Sequence, residues 1–84
     1  MKYSVTISRS AEKDFNRLPS QTQRLVTQNI LSLEDFPRPI GIKKLRGREE
    51  YRLRVGDYRI LYTIDDLNKI IDIVVIRHRK DVYR

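Results

Sequence analysis

The first part of the chain changes its hydrophobic spacing once. Residues 3–8 alternate strictly between apolar and polar side chains, which is the period-two pattern of a half-buried β-strand. Ala11, Phe15 and Leu18 then stand at positions i, i+4 and i+7 and form the apolar stripe of a short helix. We therefore predict an opening strand and then a helix that has Ser10 as its N-cap and ends at Leu18 and the following proline.

A second helix is predicted directly after the first. Ser20 and Gln23 have the spacing of a capping box, in which the two side chains satisfy backbone amides at the start of a helix. Its inner face consists of Val26, Ile30 and Leu33. Pro37 and Pro39 close this helix and impose an extended linker. Because the two helices are sequential and their connection is short, we expect a helical hairpin.

The second half of the chain returns to strand-like spacing in three runs, which cover residues 51–55, 58–64 and 70–77. Gly56 and Asp57 separate the first two runs and suit a two-residue hairpin turn, whereas residues 65–69 form a longer turn. Residues 70–76 are almost continuously apolar, as expected of an inner strand. The predicted fold is α+β in two layers, with an N-terminal strand, a helical hairpin and an antiparallel β-meander in one domain over residues 1–84.

The turn at Gly56 and Asp57 fixes which side chains of the hairpin share a face, because it pairs Arg54 with Arg59. One face then carries Arg52, Arg54 and Arg59. The other face is apolar and consists of Tyr51, Leu53, Val55, Tyr58, Ile60 and Tyr62. Like charges placed directly across a sheet are destabilising, so the Arg54–Arg59 pair needs a physical explanation.

Two explanations of this arginine pair are open. In the first, an anion binds between the guanidinium groups, whose planar forks match the geometry of phosphate. In the second, the pair belongs to an ordinary surface network, in which Asp57, Asp65 or Asp72 neutralises it.

The position of Arg77 depends on the length of the second turn. A five-residue loop pairs Ile64 with Ile70 and places Arg77 and Arg79 on the same face as Arg59. A loop that differs by one residue turns both side chains to the opposite face, because successive side chains of a strand alternate.

The charge of the chain is unevenly distributed. There are 18 Lys and Arg residues against 11 Asp and Glu residues, for a net charge of +7. Twelve of the basic residues lie within residues 43–84 and seven of those within residues 43–59. A field of this sign attracts phosphate backbones or another acidic surface. A solvated basic face that only maintains solubility is the alternative.

The composition argues against several classes of function. The chain has no cysteine and one histidine, so a metal site is not expected, and the absence of cysteine is consistent with a reducing, cytoplasmic compartment. The N-terminus lacks the apolar stretch of a signal peptide, and no segment approaches the roughly 20 apolar residues of a membrane span. The three glycines are isolated, so a Gly-rich phosphate loop is not expected either. We expect no cofactor and no membrane association.

The last eight residues combine four basic side chains with Tyr83. Basic residues beside an aromatic ring that stacks on a base are typical of proteins that bind single-stranded RNA. A terminal hydrophobic anchor is the alternative for Tyr83. His78 is the single histidine, a residue type whose side chain suits proton transfer; an outward-facing residue of the last strand is the alternative.

Three segments together resemble the RelE group of the RelE/ParE toxin superfamily, namely residues 44–47, 51–62 and 77–83. Their most specific parts are the Gly-Asp-Tyr-Arg motif at residues 56–59 and the His-Arg-x-x-Val-Tyr ending at residues 78–83. The resemblance implies a RelE-like microbial RNase-type fold and a toxin of a type II toxin–antitoxin system. Such a toxin enters the A site of the 30S ribosomal subunit in a prokaryotic cytoplasm and cleaves mRNA without a metal or cofactor. A cognate antitoxin neutralises it and provides its only link to operator DNA.

The resemblance also assigns site residues. In this family the 2′-hydroxyl of the substrate attacks the adjacent phosphate, which gives a 2′,3′-cyclic phosphate and a 5′-hydroxyl. By position, Arg59 matches the residue that stabilises the phosphate, Arg77 the one proposed to assist the leaving oxygen, and Tyr83 the one that stacks on or orients the attacked nucleotide. Arg52 and Arg54 replace two lysines of the best-studied members. Further RNA contacts are expected from Lys44, Arg46, Arg79 and Lys80.

The two arginines that replace lysines leave the general base open. A guanidinium group stays protonated and is a poor proton acceptor, so Arg52 and Arg54 are expected to bind and stabilise charge. Tyr83, His78 and Lys80 are the candidates for the base, and we favour in-line positioning of the message with cationic stabilisation. Two other functions stay open: a ParE-like inhibitor of DNA gyrase, and a non-catalytic module that binds RNA or an acidic antitoxin.

Overall fold

The computed structural model describes residues 2–45 and 49–82. Its elements in chain order are β1 (Ser4–Ile7), α1 (Arg9–Asn16), α2 (Ser20–Ser32), β2 (Lys43–Lys44), β3 (Glu50–Val55), β4 (Tyr58–Asp65), β5 (Ile70–His78) and α3 (Arg79–Val82). The predicted α+β order of a strand, two helices and a meander is confirmed. The two-residue β2 and the four-residue α3 are additions that the sequence pattern did not predict.

The strands form one five-stranded sheet in the order β1-β5-β4-β3-β2. β1 pairs with β5 in parallel, and the other three neighbour pairs are antiparallel. β5 is an inner strand, as its apolar sequence predicts. α1 packs against β5 and α2 against β3, so the helices cover one face of the sheet and leave the other face open.

The hairpin between β3 and β4 has the predicted register. Val55 pairs with Tyr58, and Arg54 pairs with Arg59. Gly56 occupies the turn with a φ of 59°, a conformation that glycine adopts at no steric cost. The apolar face that the sequence predicts is therefore the one that the helices cover.

The turn between β4 and β5 differs from the predicted five-residue loop. Asp65 pairs with Ile70, so the loop has four residues, which are residues 66–69. The Asp65 carboxylate holds this turn, because it accepts hydrogen bonds from the amide (3.1 Å) and the side chain (2.8 Å) of Asn68. Lys69 completes the turn with a φ of 57°.

A β-bulge in β5 compensates for the shorter loop. Tyr62 pairs with Ile73 but Leu61 pairs with Val75, which leaves Val74 as an extra residue. The bulge shifts the register by one position, and Arg77 consequently faces Arg59. The expectation that a loop of another length would turn Arg77 away was therefore wrong, because the bulge restores the alternation.

Both predicted helix caps are wrong. Ser8, not Ser10, is the N-cap of α1, and its Oγ accepts a hydrogen bond from the Ala11 amide at 3.0 Å. Pro19 is the N-cap of α2, and no side chain caps that end. Gln23 instead donates its side-chain amide to the carbonyl of Phe15 at 2.9 Å, which satisfies the end of α1 and joins the two helices.

The core lies between the helices and the sheet. The buried side chains include the predicted inner residues Ala11, Val26 and Leu33, with Phe15, Leu18 and Ile30 packed against them. Tyr62 is fully buried, and its hydroxyl donates a hydrogen bond to the Pro37 carbonyl at 2.8 Å. This bond draws the linker after α2 onto the sheet, so residues 36–42 run through bends and a turn and not through the extended conformation that the prolines predict.

Candidate nucleic-acid interface

Three arginines from three strands lie side by side on the face that the helices leave open. Arg59 in β4 pairs with Arg54 in β3 on one side and with Arg77 in β5 on the other. We call these three residues the arginine row. Arg59 is only 8% exposed, and its guanidinium donates a hydrogen bond to the Tyr58 carbonyl at 3.3 Å. A nearly buried cation between two further cations is electrostatically unfavourable, and an anion bound beside it would relieve the repulsion.

A concave site adjoins the arginine row. It has a volume of about 310 Å³ and is lined by Gly41, Lys43, Arg52, Arg54 and Arg59. Each of its four side chains is cationic, and no carboxylate is among the lining residues. We call it the cationic pocket. Arginine forks of this kind bind phosphate oxygens through paired N–H donors.

Two of the three carboxylates that the sequence offered as neutralising partners, Asp65 and Asp72, are engaged elsewhere. Asp65 holds its own turn, and the hydrogen bonds from Asn68 lower the pKa of its carboxyl. Asp72 accepts a hydrogen bond from the Thr6 hydroxyl at 2.9 Å. Within residues 2–45 and 49–82, no ion pair involves Arg54 or Arg59. The surface-network explanation therefore has no support from these two carboxylates, and the anion-site explanation is favoured.

Arg77 has an acidic neighbour that the sequence did not reveal. Asp14 of α1 accepts a hydrogen bond from the Ile76 amide at 3.2 Å, and the same oxygen lies 3.9 Å from Nε of Arg77. The side chain of Asp14 is 15% exposed, and that of Arg77 is 48% exposed. Asp14 thus fixes the end of β5 and orients one side of the Arg77 guanidinium, and it leaves the remainder accessible.

The two lysines of β2 point to opposite faces of the sheet. Lys43 pairs with Arg52 on the arginine face, whereas Lys44 pairs with Tyr51 on the helix face. Lys44 lies 3.8 Å from Glu49. The sequence named Lys44 as an RNA contact and did not single out Lys43, which lies on the arginine face, because the pairing of this short strand depends on the connection to β3 and not on any local pattern.

The remaining predicted contacts are distributed around the C-terminal end of the sheet. Arg79 and Lys80 are exposed and belong to α3, and the Arg79 amide donates to the Asp57 carbonyl at 2.7 Å. The sequence predicted Arg79 on the arginine face of the last strand. Because β5 ends at His78, Arg79 belongs to α3 and is not a strand residue of that face. Arg46 and Tyr83 lie outside the described residues.

His78 is separated from the arginine row by the sheet. It pairs with Tyr58, and the two rings meet edge to face with their centroids 5.3 Å apart. Its Nδ1 accepts a hydrogen bond from the Lys80 amide at 3.3 Å. Because Tyr58 faces opposite to Arg59, the imidazole cannot reach an anion bound at the arginine row.

The described residues offer neither a metal site nor a membrane-spanning helix. No group of three or more His, Cys, Asp or Glu side chains is placed to hold a metal ion. No helix there has the length and apolar character needed to cross a membrane.

Comparison with known proteins identifies similar toxins. The profile of the family described as "ParE toxin of type II toxin-antitoxin system, parDE" matches residues 5–83. Toxin RelG of Mycobacterium tuberculosis is 33% identical over 88 residues, which cover 100% of this chain and 99% of RelG. The putative toxin RelE1 of Methanocaldococcus jannaschii is also 33% identical, over 100% of this chain and 98% of its own length.

The fold has a close counterpart among solved structures. A chain of the archaeal RelE–RelB complex from Pyrococcus horikoshii superimposes with a TM-score of 0.85 and 32% identity, over 94% of this chain and 97% of that one. The agreement extends over the helices and the five-stranded sheet.

Proposed function

Because this chain belongs to the RelE/ParE family of toxins from type II toxin–antitoxin systems, we propose that it cleaves messenger RNA in the A site of the small ribosomal subunit. The observation that carries the proposal is the arginine row beside a pocket whose four lining side chains are all cationic. The relatives named RelE and RelG favour this branch of the family. The reaction takes place in the cytoplasm, where ribosomes are found.

The reaction is an internal transfer within the RNA strand. The 2′-oxygen of one nucleotide loses its proton and bonds to the adjacent phosphorus, while the bond from phosphorus to the 5′-oxygen of the next nucleotide breaks and that oxygen gains a proton. Negative charge grows on the pentavalent phosphorus centre. Arg59, held nearly buried between two other cations, is placed to stabilise this charge, because preorganised donors in a poorly solvated site stabilise such centres most effectively.

The flanking arginines have different surroundings and hence different roles. Arg77, oriented on one side by Asp14, assists the leaving 5′-oxygen with its exposed donors. Arg54 and Arg52 bind non-bridging phosphate oxygens. Tyr83 stacks on or orients the attacked nucleotide, as the family resemblance implies.

Positioning supplies much of the rate in this proposal. Guanidinium groups are poor bases, and His78 lies on the other face of the sheet. The protein therefore contributes by holding the 2′-oxygen, phosphorus and leaving oxygen in line, which is worth several orders of magnitude in well-oriented systems. The ribosome holds the message, so cleavage of free RNA is expected to be slow.

We also propose a cognate antitoxin as the partner of this toxin. The relative from Pyrococcus horikoshii was solved as a RelE–RelB complex. A toxin with a net charge of +7 suits an antitoxin segment that combines acidic side chains with apolar ones. Operator DNA is bound through that antitoxin.

Mapping of cleavage sites tests the proposal. Purified toxin is added to ribosomes that translate a defined message, and the RNA ends are mapped and chemically typed. Cuts within codons that leave 2′,3′-cyclic phosphate and 5′-hydroxyl ends support the proposal. The family profile is described as a ParE toxin, so a parallel reaction contains DNA gyrase and plasmid DNA. Gyrase-dependent DNA breaks without RNA cuts would show that the protein is a gyrase poison and not a nuclease. The absence of both products would indicate a non-catalytic binding module.

A further inference from the structure

Lys43 extends the cationic surface one strand beyond the arginine row. It is adjacent to Arg52 in the β2–β3 pair and lines the cationic pocket. Among the described residues, no hydrogen bond or ion pair engages its ammonium group, in contrast to Lys44 and its neighbour Glu49. The exposed ammonium group of Lys43 is repelled by the three guanidinium groups that also line the pocket. An anion bound in the pocket would relieve this repulsion.

The linker before β2 also contributes to the cationic pocket. Gly41 lines the pocket and has a φ of 89°, a conformation that other residues rarely adopt. The linker turns at Gly41 and then enters β2, where Lys43 lies on the arginine face. The pocket is thus built by the linker as well as by β3 and β4.

We infer that the cationic pocket binds a second phosphate of the RNA strand, next to the one that is cleaved, with Lys43 as a ligand of that second phosphate. The inference rests on the proposed function, because it takes the scissile phosphate to lie at the arginine row. Lys43 and Arg52 form the next row along the strands, two residues from Arg54. Two residues of a strand span about 6.6–6.8 Å, which is of the order of the separation between neighbouring phosphates of a nucleic-acid chain.

An RNA strand fits this surface better than an acidic protein segment does. Arg59 belongs both to the arginine row and to the pocket, so the two sites adjoin. When one phosphate of an RNA strand lies on the row, the phosphate of the next nucleotide lies beside the pocket. Neighbouring phosphates of one strand have the spacing of the two sites at every nucleotide, whereas an acidic segment satisfies both sites only where two of its carboxylates have that spacing. The adjacent subsite fixes the strand along the row and so helps to align the reacting atoms.

The adjacent lysines provide a matched experiment. Lys43→Ala and Lys44→Ala remove the same charge from neighbouring residues, but only the first faces the pocket. The probe is a short single-stranded RNA with a 2′-deoxy sugar at the cleavage position, and its binding to each protein is measured over a salt series starting at low ionic strength. The slope of log K against log salt is negative, and each lost phosphate contact reduces its magnitude by about 0.7 for a single strand. We expect this decrease for Lys43→Ala and a much smaller one for Lys44→Ala.

A second probe identifies the phosphate. Neutral methylphosphonate replaces, one at a time, each phosphate that flanks the cleavage position. One of these replacements should weaken binding to the wild type and leave Lys43→Ala nearly unaffected. Equal slopes for the two variants, a lack of RNA binding by the wild type at low salt, or an effect of Lys43→Ala on antitoxin binding alone would overturn the subsite. If the salt slopes of Lys43→Ala and Lys44→Ala differ as expected but the wild type does not cleave mRNA, the nuclease proposal is overturned instead.

Discussion

The Ser8 hydroxyl donates a hydrogen bond to the Val74 carbonyl at 2.9 Å and accepts one from the Ala11 amide at 3.0 Å. Val74 is the extra residue of the bulge in β5. Because the register after the bulge places Arg77 opposite Arg59, one hydroxyl at the start of α1 both caps that helix and holds the segment on which the arginine row depends.

Ser8→Ala is therefore expected to lower the free energy of unfolding by about 1–2 kcal/mol, through loss of the helix cap and of the bond to the bulge. Ser10→Ala is the matched control, since Ser10 is an exposed residue of the first turn of α1, and we expect a change within about 0.5 kcal/mol. Urea denaturation of both variants measures the difference. If the two substitutions have equal effects, Ser8 is not the cap that the structure indicates.

The sequence predicted the fold where its signals are local. The Gly56-Asp57 turn specifies a two-residue hairpin, and the whole β3–β4 register follows from it. The β4–β5 register was harder, because a four-residue loop and a bulge shift it in compensating directions. The bulge is held by Ser8, which is 66 residues away from Val74, so no pattern within β5 indicates it.

The site was predictable to a similar degree. Arg54 and Arg59 follow from the hairpin, and Arg77 follows from the family resemblance. Lys43 and Asp14 did not follow, because each depends on a tertiary contact. The pairing of β2 with β3 decides which of two consecutive lysines faces the arginines, and the packing of α1 on β5 brings Asp14 to Arg77.

Arg59→Met tests the central residue of the arginine row. Methionine retains most of the buried aliphatic length but removes the charge between Arg54 and Arg77. We expect cleavage of translated mRNA to slow by about 10²–10³-fold, whereas the melting temperature stays the same or rises, because like-charge repulsion is relieved. Arg24→Met, at an exposed position of α2, is the control for loss of one positive charge. Normal cleavage by Arg59→Met would remove Arg59 from the site, and an unfolded variant would make it a structural residue.

His78→Asn tests whether the single histidine acts as the base. Asparagine can retain an acceptor for the Lys80 amide, so the start of α3 should persist. A side chain that transfers a proton in the rate-limiting step contributes about 10²–10⁴-fold. Because the imidazole faces away from the arginine row, we expect the cleavage rate to remain within about threefold of the wild type. A loss of two orders of magnitude with an unchanged melting temperature would show that His78 reaches the substrate after all.

Asp66 makes stability depend on pH below 4. Hydrogen bonds from Arg38 and Tyr3 lower the pKa of its carboxyl to about 2, against about 3.9 in an unfolded chain. As the pH falls from about 4 to about 2, the unfolded state takes up the proton first, and this contribution to stability is lost.

Asp66→Asn should be less stable at neutral pH, and its stability should decline less steeply between about pH 4 and about pH 2. Asp35→Asn, at another exposed acid, should retain the pH dependence of the wild type. Denaturation midpoints over a pH series measure both, and added salt should reduce the effect because the pair is exposed. An unchanged slope for Asp66→Asn would assign the acid sensitivity to other carboxyls.

The association rate of the antitoxin should depend strongly on salt. An acidic segment approaching a protein of charge +7 is steered by a field that is screened beyond roughly 8–10 Å at physiological ionic strength. We expect the on-rate to fall by at least about tenfold between low and high salt. Arg54→Glu, on the arginine face, should reduce the low-salt on-rate more than Arg24→Glu on α2, although both change the net charge equally. Stopped-flow measurements over a salt series separate the two variants. If the on-rate is flat with salt, the antitoxin approaches another surface, and the excess of positive charge acts on RNA alone.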